Sequence, residues 1–220
     1  MGLKAAVLLS SVVMSLSAYA ESTLTTKLGA EIWWPNTKVN EVDRENDTTP
    51  NVYATIEHYV KYVPDVRLRY SSVDADYMAF DKIDLTLYYQ IFEHDLMSFD
   101  AGFTLSDLND SHYRNADTNA QVNYDGVIWA WHGYAEIAVP DTPFDVIGEM
   151  NFGDSRGIKS TDLMAGVQYQ PDWQDSRWFV KAGYRVIDLE SDDFRVAEGS
   201  ELGKPFVFAD GWFLGAEYRL

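Results

Sequence analysis

The sequence predicts an all-β fold: a transmembrane, antiparallel, up-and-down β-barrel of ten strands behind a cleaved N-terminal signal peptide. Three observations predict it. Short segments that alternate apolar and polar residues recur from Leu24 to Leu220. No apolar run after them or between them approaches the ~20 residues that a spanning helix requires, whereas a spanning strand needs only ~9–11. Trp, Tyr and Phe gather at the ends of the alternating segments, as they do where a barrel meets the two membrane interfaces.

Residues 1–20 read as the signal peptide. Lys4 is their only charge, Ala5 to Leu16 is largely apolar, and Ala18-Tyr19-Ala20 has the small-residue spacing of a cleavage site. The barrel is therefore expected over 21–220.

Each strand is justified by its own alternation. The first, 24–34, sets Leu28, Ala30, Ile32 and Trp34 against Lys27, Gly29 and Glu31. The second, 51–63, sets Val52, Ala54, Ile56 and Val60 against Glu57 and Lys61. In the third, 66–73, Val66, Leu68 and Tyr70 oppose Arg67 and Arg69. The fourth, 82–91, carries Ile83, Leu85, Leu87, Tyr89 and Ile91 on one face and Asp84, Thr86, Tyr88 and Gln90 on the other. The fifth, 98–106, sets Phe99, Ala101, Phe103 and Leu105 against Asp100. The sixth, 126–139, sets Val127, Trp129, Trp131 and Ile137 against His132 and Glu136. In the seventh, 143–153, Phe144, Val146, Met150 and Phe152 oppose Asp145 and Glu149. The eighth, 160–170, opposes Leu163, Val167 and Tyr169 to Asp162. The ninth, 177–189, opposes Val180, Tyr184 and Val186 to Lys181 and Arg185. The last, 210–220, sets Trp212, Leu214, Tyr218 and Leu220 against Glu217 and Arg219.

The connections are expected to differ by rim. Pro64-Asp65, 92–97, 140–142 and 171–176 are short, as periplasmic turns are. The stretches 35–50, 74–81, 108–125 and 190–209 are longer, as outer loops are, with 154–159 the exception. The apolar face is expected to meet lipid, where a midplane Lys or Arg costs ~2–4 kcal/mol, and the charged face to line the lumen. Mixed charges in so narrow a lumen should pair and fill it. Glu57, Arg67, Arg69, Asp84, Glu149, Arg185 and Glu217 are the expected lumen ion-pair residues. Trp33, Trp34, Tyr62, Phe92, Trp173, Trp178, Trp212 and Tyr218 are the expected interfacial aromatic girdle.

Composition removes several function classes. There is no cysteine, so disulfides, thiolate chemistry and cysteine-held zinc are out. With 17 Lys and Arg against 35 Asp and Glu, a formal charge of −18, the chain is a poor match for nucleic acid.

The segments Pro64-Asp-Val-Arg-Leu-Arg-Tyr70, Asp84-Leu-Thr-Leu-Tyr-Tyr-Gln-Ile91, Asp100-Ala-Gly-Phe-Thr-Leu105, Ala182-Gly-Tyr-Arg185 and the closing strand resemble a family of small, uncharacterised outer-membrane β-barrel proteins of Gram-negative bacteria. The resemblance implies a fold and a cell outer-membrane location, reached through the periplasm, but no settled activity. It also implies outer-membrane lipid and lipopolysaccharide as surroundings, and the barrel insertion machinery as a partner during assembly. One departure is visible: such barrels usually close on Phe, whereas this sequence closes on Leu220 with Tyr218 two positions earlier.

No catalytic signature appears. His58, His94, His112 and His132 fall on different segments. Ser106 to His112 offers Asp107, Asp110 and His112 as a surface hydrolase or a Ca²⁺ ligand set, but the same composition makes an ordinary polar loop. The acidic stretches 40–47, 74–81 and 190–201 could bridge lipopolysaccharide through divalent cations, or simply be solvated. The reading is a monomeric, non-enzymatic barrel with a plugged lumen and a structural or surface-contact role, without cofactor or metal. Its alternatives are a narrow pore or small-solute transporter, an outer-membrane surface enzyme, and a periplasmic lipid-binding barrel. Cell fractionation separates the last from the rest: the protein is expected in the detergent extract of the envelope, and recovery in the osmotic-shock supernatant would refute the barrel's orientation.

Overall fold

Alternating segments that are neighbours in sequence pair antiparallel, until the last meets the first. The computed structural model describes residues 24–39, 42–75, 77–114, 119–171, 176–191 and 206–220. Its elements are β1 (Leu24–Val39), β2 (Val42–Asn46), β3 (Thr49–His58), β4 (Asp65–Ala75), β5 (Met78–His94), β6 (Met97–Arg114), β7 (Gln121–Val122), β8 (Gly126–Ala138), β9 (Phe144–Ser155), β10 (Ile158–Tyr169), β11 (Trp178–Ser191) and β12 (Phe206–Arg219). Ten long strands form the wall, in the order β1-β3-β4-β5-β6-β8-β9-β10-β11-β12, and β12 pairs back to β1. The short β2 and β7 are added to the loop ends of β1 and β6. The closing seam runs in unbroken register from Lys27↔Arg219 to Val39↔Val207. The signal peptide expected over 1–20 and Trp173 lie outside the described residues.

The faces partition as the alternation predicts, and inside out relative to a protein folded in water. Ile32 is 49%, Trp131 66% and Leu214 51% exposed, while Arg67 is 8%, Glu149 5% and Arg185 2% exposed. Water would reverse that assignment; hydrocarbon stabilises it. On β8 the outward apolar residues run from Val127 to Ile137. At ~3.3 Å per residue and a tilt near 40°, that belt stands roughly 25 Å tall, the height of a bilayer's apolar band. The closed wall and its belt are those of an outer-membrane barrel. A soluble lipid-binding barrel would need these residues inside.

The strand limits differ from expectation mainly at the loop rim. β5 begins at Met78 instead of 82, β6 continues to Arg114 instead of 106, and β12 begins at Phe206 instead of 210. Much of what the pattern assigns to long loops is therefore strand. Between β4 and β5 only 76–77 remain, and β9 turns into β10 through Arg156-Gly157, whose φ values of 54° and 77° make the tight hairpin. The rim is marked by strands running past the belt more than by loop length.

A second correction lies at the turn rim. β3 stops at His58, and 59–64 form a turn where the pattern predicts only Pro64-Asp65. Asp65 Oδ1 accepts from the His58 amide at 2.8 Å, and Val63 N–H donates to the Val60 carbonyl at 3.3 Å. Val60 and Lys61, expected on the strand faces, thereby leave them. A bulge interrupts β6: the register jumps between Asp81↔Asn109 and Ala79↔His112, with Asp110 at φ 48°. Asp tolerates the left-handed region better than most residues. The extra residue swaps the facing of everything after it, which brings Ser111 and Tyr113 inward.

Two inward glycines allow close backbone approach. Gly166 and Gly183 are register partners on β10 and β11. A Cβ on Gly166 would lie 2.4 Å from the Ala182 carbonyl oxygen, and one on Gly183 2.3 Å from that of Ala165. Gly183→Val is expected to destabilise the barrel by about 1–3 kcal/mol, as overpacking does. A lower urea midpoint in refolding vesicles would show it, and an unchanged midpoint would contradict it.

Candidate functional site

The lumen is where the chemistry-bearing residues converge, because alternation sends one face of every wall strand there. Its middle is ionic and cross-braced. Arg67 and Arg69 on β4 reach Glu149 on the facing wall, β9, with Nη1 and Nη2 at 2.8 and 2.6 Å from the same Oε2. Glu149 also accepts from Asn151 Nδ2 at 3.4 Å. Asn151 Oδ1 in turn lies 2.9 Å from His132 Nδ1 and accepts from Thr104 Oγ1 at 2.9 Å.

Closer to the loop rim, Asp162 on β10 takes Lys82 from β5 at 2.7 Å and two donors from Arg185 on β11, at 2.9 and 2.7 Å. Arg185 also donates to Ser71 on β4 at 3.1 Å, and Asp84 receives Lys82 at 3.0 Å and the Ser106 hydroxyl at 2.6 Å. Towards the turns, Glu217 takes Lys181 at 2.5 Å, the Tyr53 hydroxyl at 2.7 Å and Arg219 Nε at 2.7 Å. Lys27 and Glu57 pair at 2.6 Å beside the turn rim. All seven expected lumen residues thus have a charged partner. Lys82, Asp162, Lys181 and Arg219 are equally central. Lys82 was legible, since it shares the parity of Asp84 at the first position of the expected strand. Who pairs with whom was not.

The expected interior is ionic throughout; the observed one is not. Above the Asp162 group, Trp33, Met78, Phe80, Leu108, Tyr113, Tyr124, Ile128, Ile158, Ile187, Leu189, Val207 and Phe213 form one buried apolar cluster under the loop rim. Most of these residues fall in stretches that the pattern leaves as loops. Their inward parity becomes readable only once β5, β6 and β12 are extended.

The aromatic residues divide. Trp34 is 42%, Trp178 49% and Trp212 67% exposed on the outer face. Trp212 meets Tyr184 edge-on at 5.2 Å, and Trp178 packs on Tyr218 at 4.9 Å. Phe92 stacks on His94 near the end of β5, and Tyr62 stands exposed in the β3–β4 turn. Trp33 belongs elsewhere. Its odd parity turns it into the lumen, fully buried, where Nε1 donates to the Gly211 carbonyl at 3.2 Å and Arg185 lies 5.3 Å from the ring centre. Parity overrides aromatic identity there.

The surface hydrolase candidate lies within one short stretch of strand. Asp107 and His112 are half-buried and Asp110 is exposed, all on β6 around its bulge. Ser106 is committed to Asp84, and Ser111 gives its amide and hydroxyl to Asp125 at 2.8 and 2.7 Å, which holds the Asp125 carboxyl below the ordinary range. Among the described residues, no group of three or more His, Asp or Glu is placed to hold a metal.

No family model and no curated protein matches the sequence. Solved structures with some likeness include the translocator domain of the autotransporter NalP from Neisseria meningitidis, at 13% identity and TM-score 0.46 over 98% of this chain and 96% of that one. Ail, the attachment invasion locus protein of Yersinia pestis, solved with the heparin analogue sucrose octasulfate, gives 12% and 0.37 over 90% and 99%. The Escherichia coli outer membrane protease OmpT gives 8% and 0.39 over 90% and 97%. Barrel and belt rest on the chain's own geometry.

Because one carboxylate serves two buried guanidiniums, Glu149→Ala is expected to cost about 3–5 kcal/mol of unfolding free energy. Glu57→Ala, whose pair is part-exposed, is expected to cost about 1 kcal/mol or less. Urea titrations of both variants in lipid vesicles check the ranking, and equal costs would contradict it.

Proposed function

We propose that the protein is a non-conducting, non-enzymatic outer-membrane barrel whose role is structural and surface-directed. The carrying observation is the lumen: charged side chains from facing walls meet in its middle, and an apolar cluster fills it under the loop rim. A permeating ion would have to displace both layers at once. The surface role is supported by the strands that outrun the belt, since β5 and β6, at 17 and 18 residues, extend the wall past the lipid on the loop side. Outer-membrane lipid and lipopolysaccharide are its immediate surroundings, and the barrel insertion machinery its assembly partner.

In planar bilayers the purified protein is expected to give no steady single-channel current, while the Arg69→Ala and Phe80→Ala double variant gives measurable leak. Discrete channels from the unmodified protein would overturn the plugged reading in favour of a narrow pore. Separately, Asp107→Asn, Asp110→Asn and His112→Ala are expected to fold and to leave the envelope's peptidase and lipase activity unchanged. Loss of such an activity would favour the surface enzyme.

A further inference from the structure

Below the Arg67–Arg69–Glu149 layer, the lumen opens at the turn rim, the periplasmic one in outer-membrane barrels, as a blind cavity of about 470 Å³. Its roof is aromatic: Tyr88 and Tyr134 lie beneath Arg67, whose guanidinium carbon is 5.8 and 5.4 Å from their ring centres. Most of its charges are already matched. Lys27 holds Glu57, Arg219 lies 3.5 Å from Glu136, and Asp65 accepts from the His58 amide and has the ring 4.0 Å away. At the lip, Lys61 sits 4.8 Å over the Tyr62 ring.

Asp100 is the buried exception. It is 8% exposed, lines this cavity, and has no hydrogen-bond or ion-pair partner for its side chain among the described residues. Its position makes that unusual. Tyr134 is its register partner on β8, and Tyr88 lies diagonally across on β5, paired with Gly102. Both phenols direct their hydroxyls elsewhere, Tyr88 to Glu57 at 3.0 Å and Tyr134 to Glu136 at 3.1 Å. A buried carboxylate between two donors that serve other acceptors is left for a donor from outside the chain. With the exposed Glu93 at the same cavity, also without a partner among the described residues, the excess charge there is negative.

We propose that this cavity binds an aliphatic amine from the periplasm, its ammonium hydrogen-bonded to Asp100 and its alkyl chain lying along the tyrosine rings towards Glu93. An ammonium suits the site better than a hard divalent cation, because Glu57 and Glu136 are already neutralised and too few free oxygens remain for calcium. The rings add their faces to the attraction for a desolvated cation.

Calorimetric titration of the full, folded protein in maltoside micelles, which carry no ammonium group, tests this with cadaverine as the probe. Saturable binding is expected up to the millimolar range, absent for pentanol, and weakened about tenfold or more in Asp100→Asn. No saturable heat, equal binding of pentanol, or calcium binding in place of the amine would overturn the proposal. So would unchanged affinity in a folded Asp100→Asn. The comparison of cadaverine with pentanol on the unmodified protein decides the matter even if the variant does not fold.

Discussion

Everything in this molecule depends on the seam between β1 and β12. A sheet in hydrocarbon has nowhere to satisfy an open edge, so the thirteen register partners from Lys27↔Arg219 to Val39↔Val207 are what make the membrane tolerable for its backbone. Closure also creates an inside. Once the ladder is circular, each strand's two faces acquire unequal surroundings, and the period-two pattern becomes a sorting rule between lipid and lumen.

That sorting leaves a difficulty which the lumen resolves by layers. Ten strands enclose a space too narrow to hydrate freely and too wide for the wall's backbone to fill. In the middle the charged residues fill it, bonded along neighbouring strands and across to facing walls, so that Arg67, Arg69 and Glu149 act as a brace joining β4 to β9. Such pairs fix the relative positions of the walls more surely than they add stability, since their desolvation offsets much of their attraction. Under the loop rim the fill changes to Trp33, Phe80, Leu108 and their neighbours, which carry no charge and seal the ionic layer from the outside. At the turn rim the filling stops, and the wall leaves a polar cavity in which Glu57 and Glu136 are ion-paired while Asp100 and Glu93 have no partner among the described residues.

The three layers follow from the same strands. β5 contributes Phe80 to the cap, Lys82 and Asp84 to the middle, and Tyr88 to the roof of the cavity, all at even positions on one face. Glycines make the stacking possible where backbones crowd, as at Gly166 and Gly183. Function therefore divides by height: the outward belt belongs to the lipid, the middle to rigidity, and the two rims to whatever the protein meets on either side.

Local periodicity determined a good deal. A two-residue repeat depends only on neighbours along the chain, so the outward stripe of Leu85, Leu87 and Tyr89 and the inward run of Asp84, Thr86 and Tyr88 were readable from the sequence. So was the presence of charge inside. Where each strand ends was not, because β3 stops at His58 through a side-chain cap from Asp65 and β6 reverses its facing at Asp110, events that depend on contacts beyond the repeat. Which charges meet was decided by tertiary structure alone. Arg69 and Glu149 are 80 residues apart, and their encounter is set by how the closed sheet staggers and curls. The same holds for Trp33, aromatic enough for an interface yet carried inward, and for Asp100, one carboxylate among many in the sequence. Only the surrounding wall, by spending both neighbouring hydroxyls on Glu57 and Glu136, leaves it without a donor.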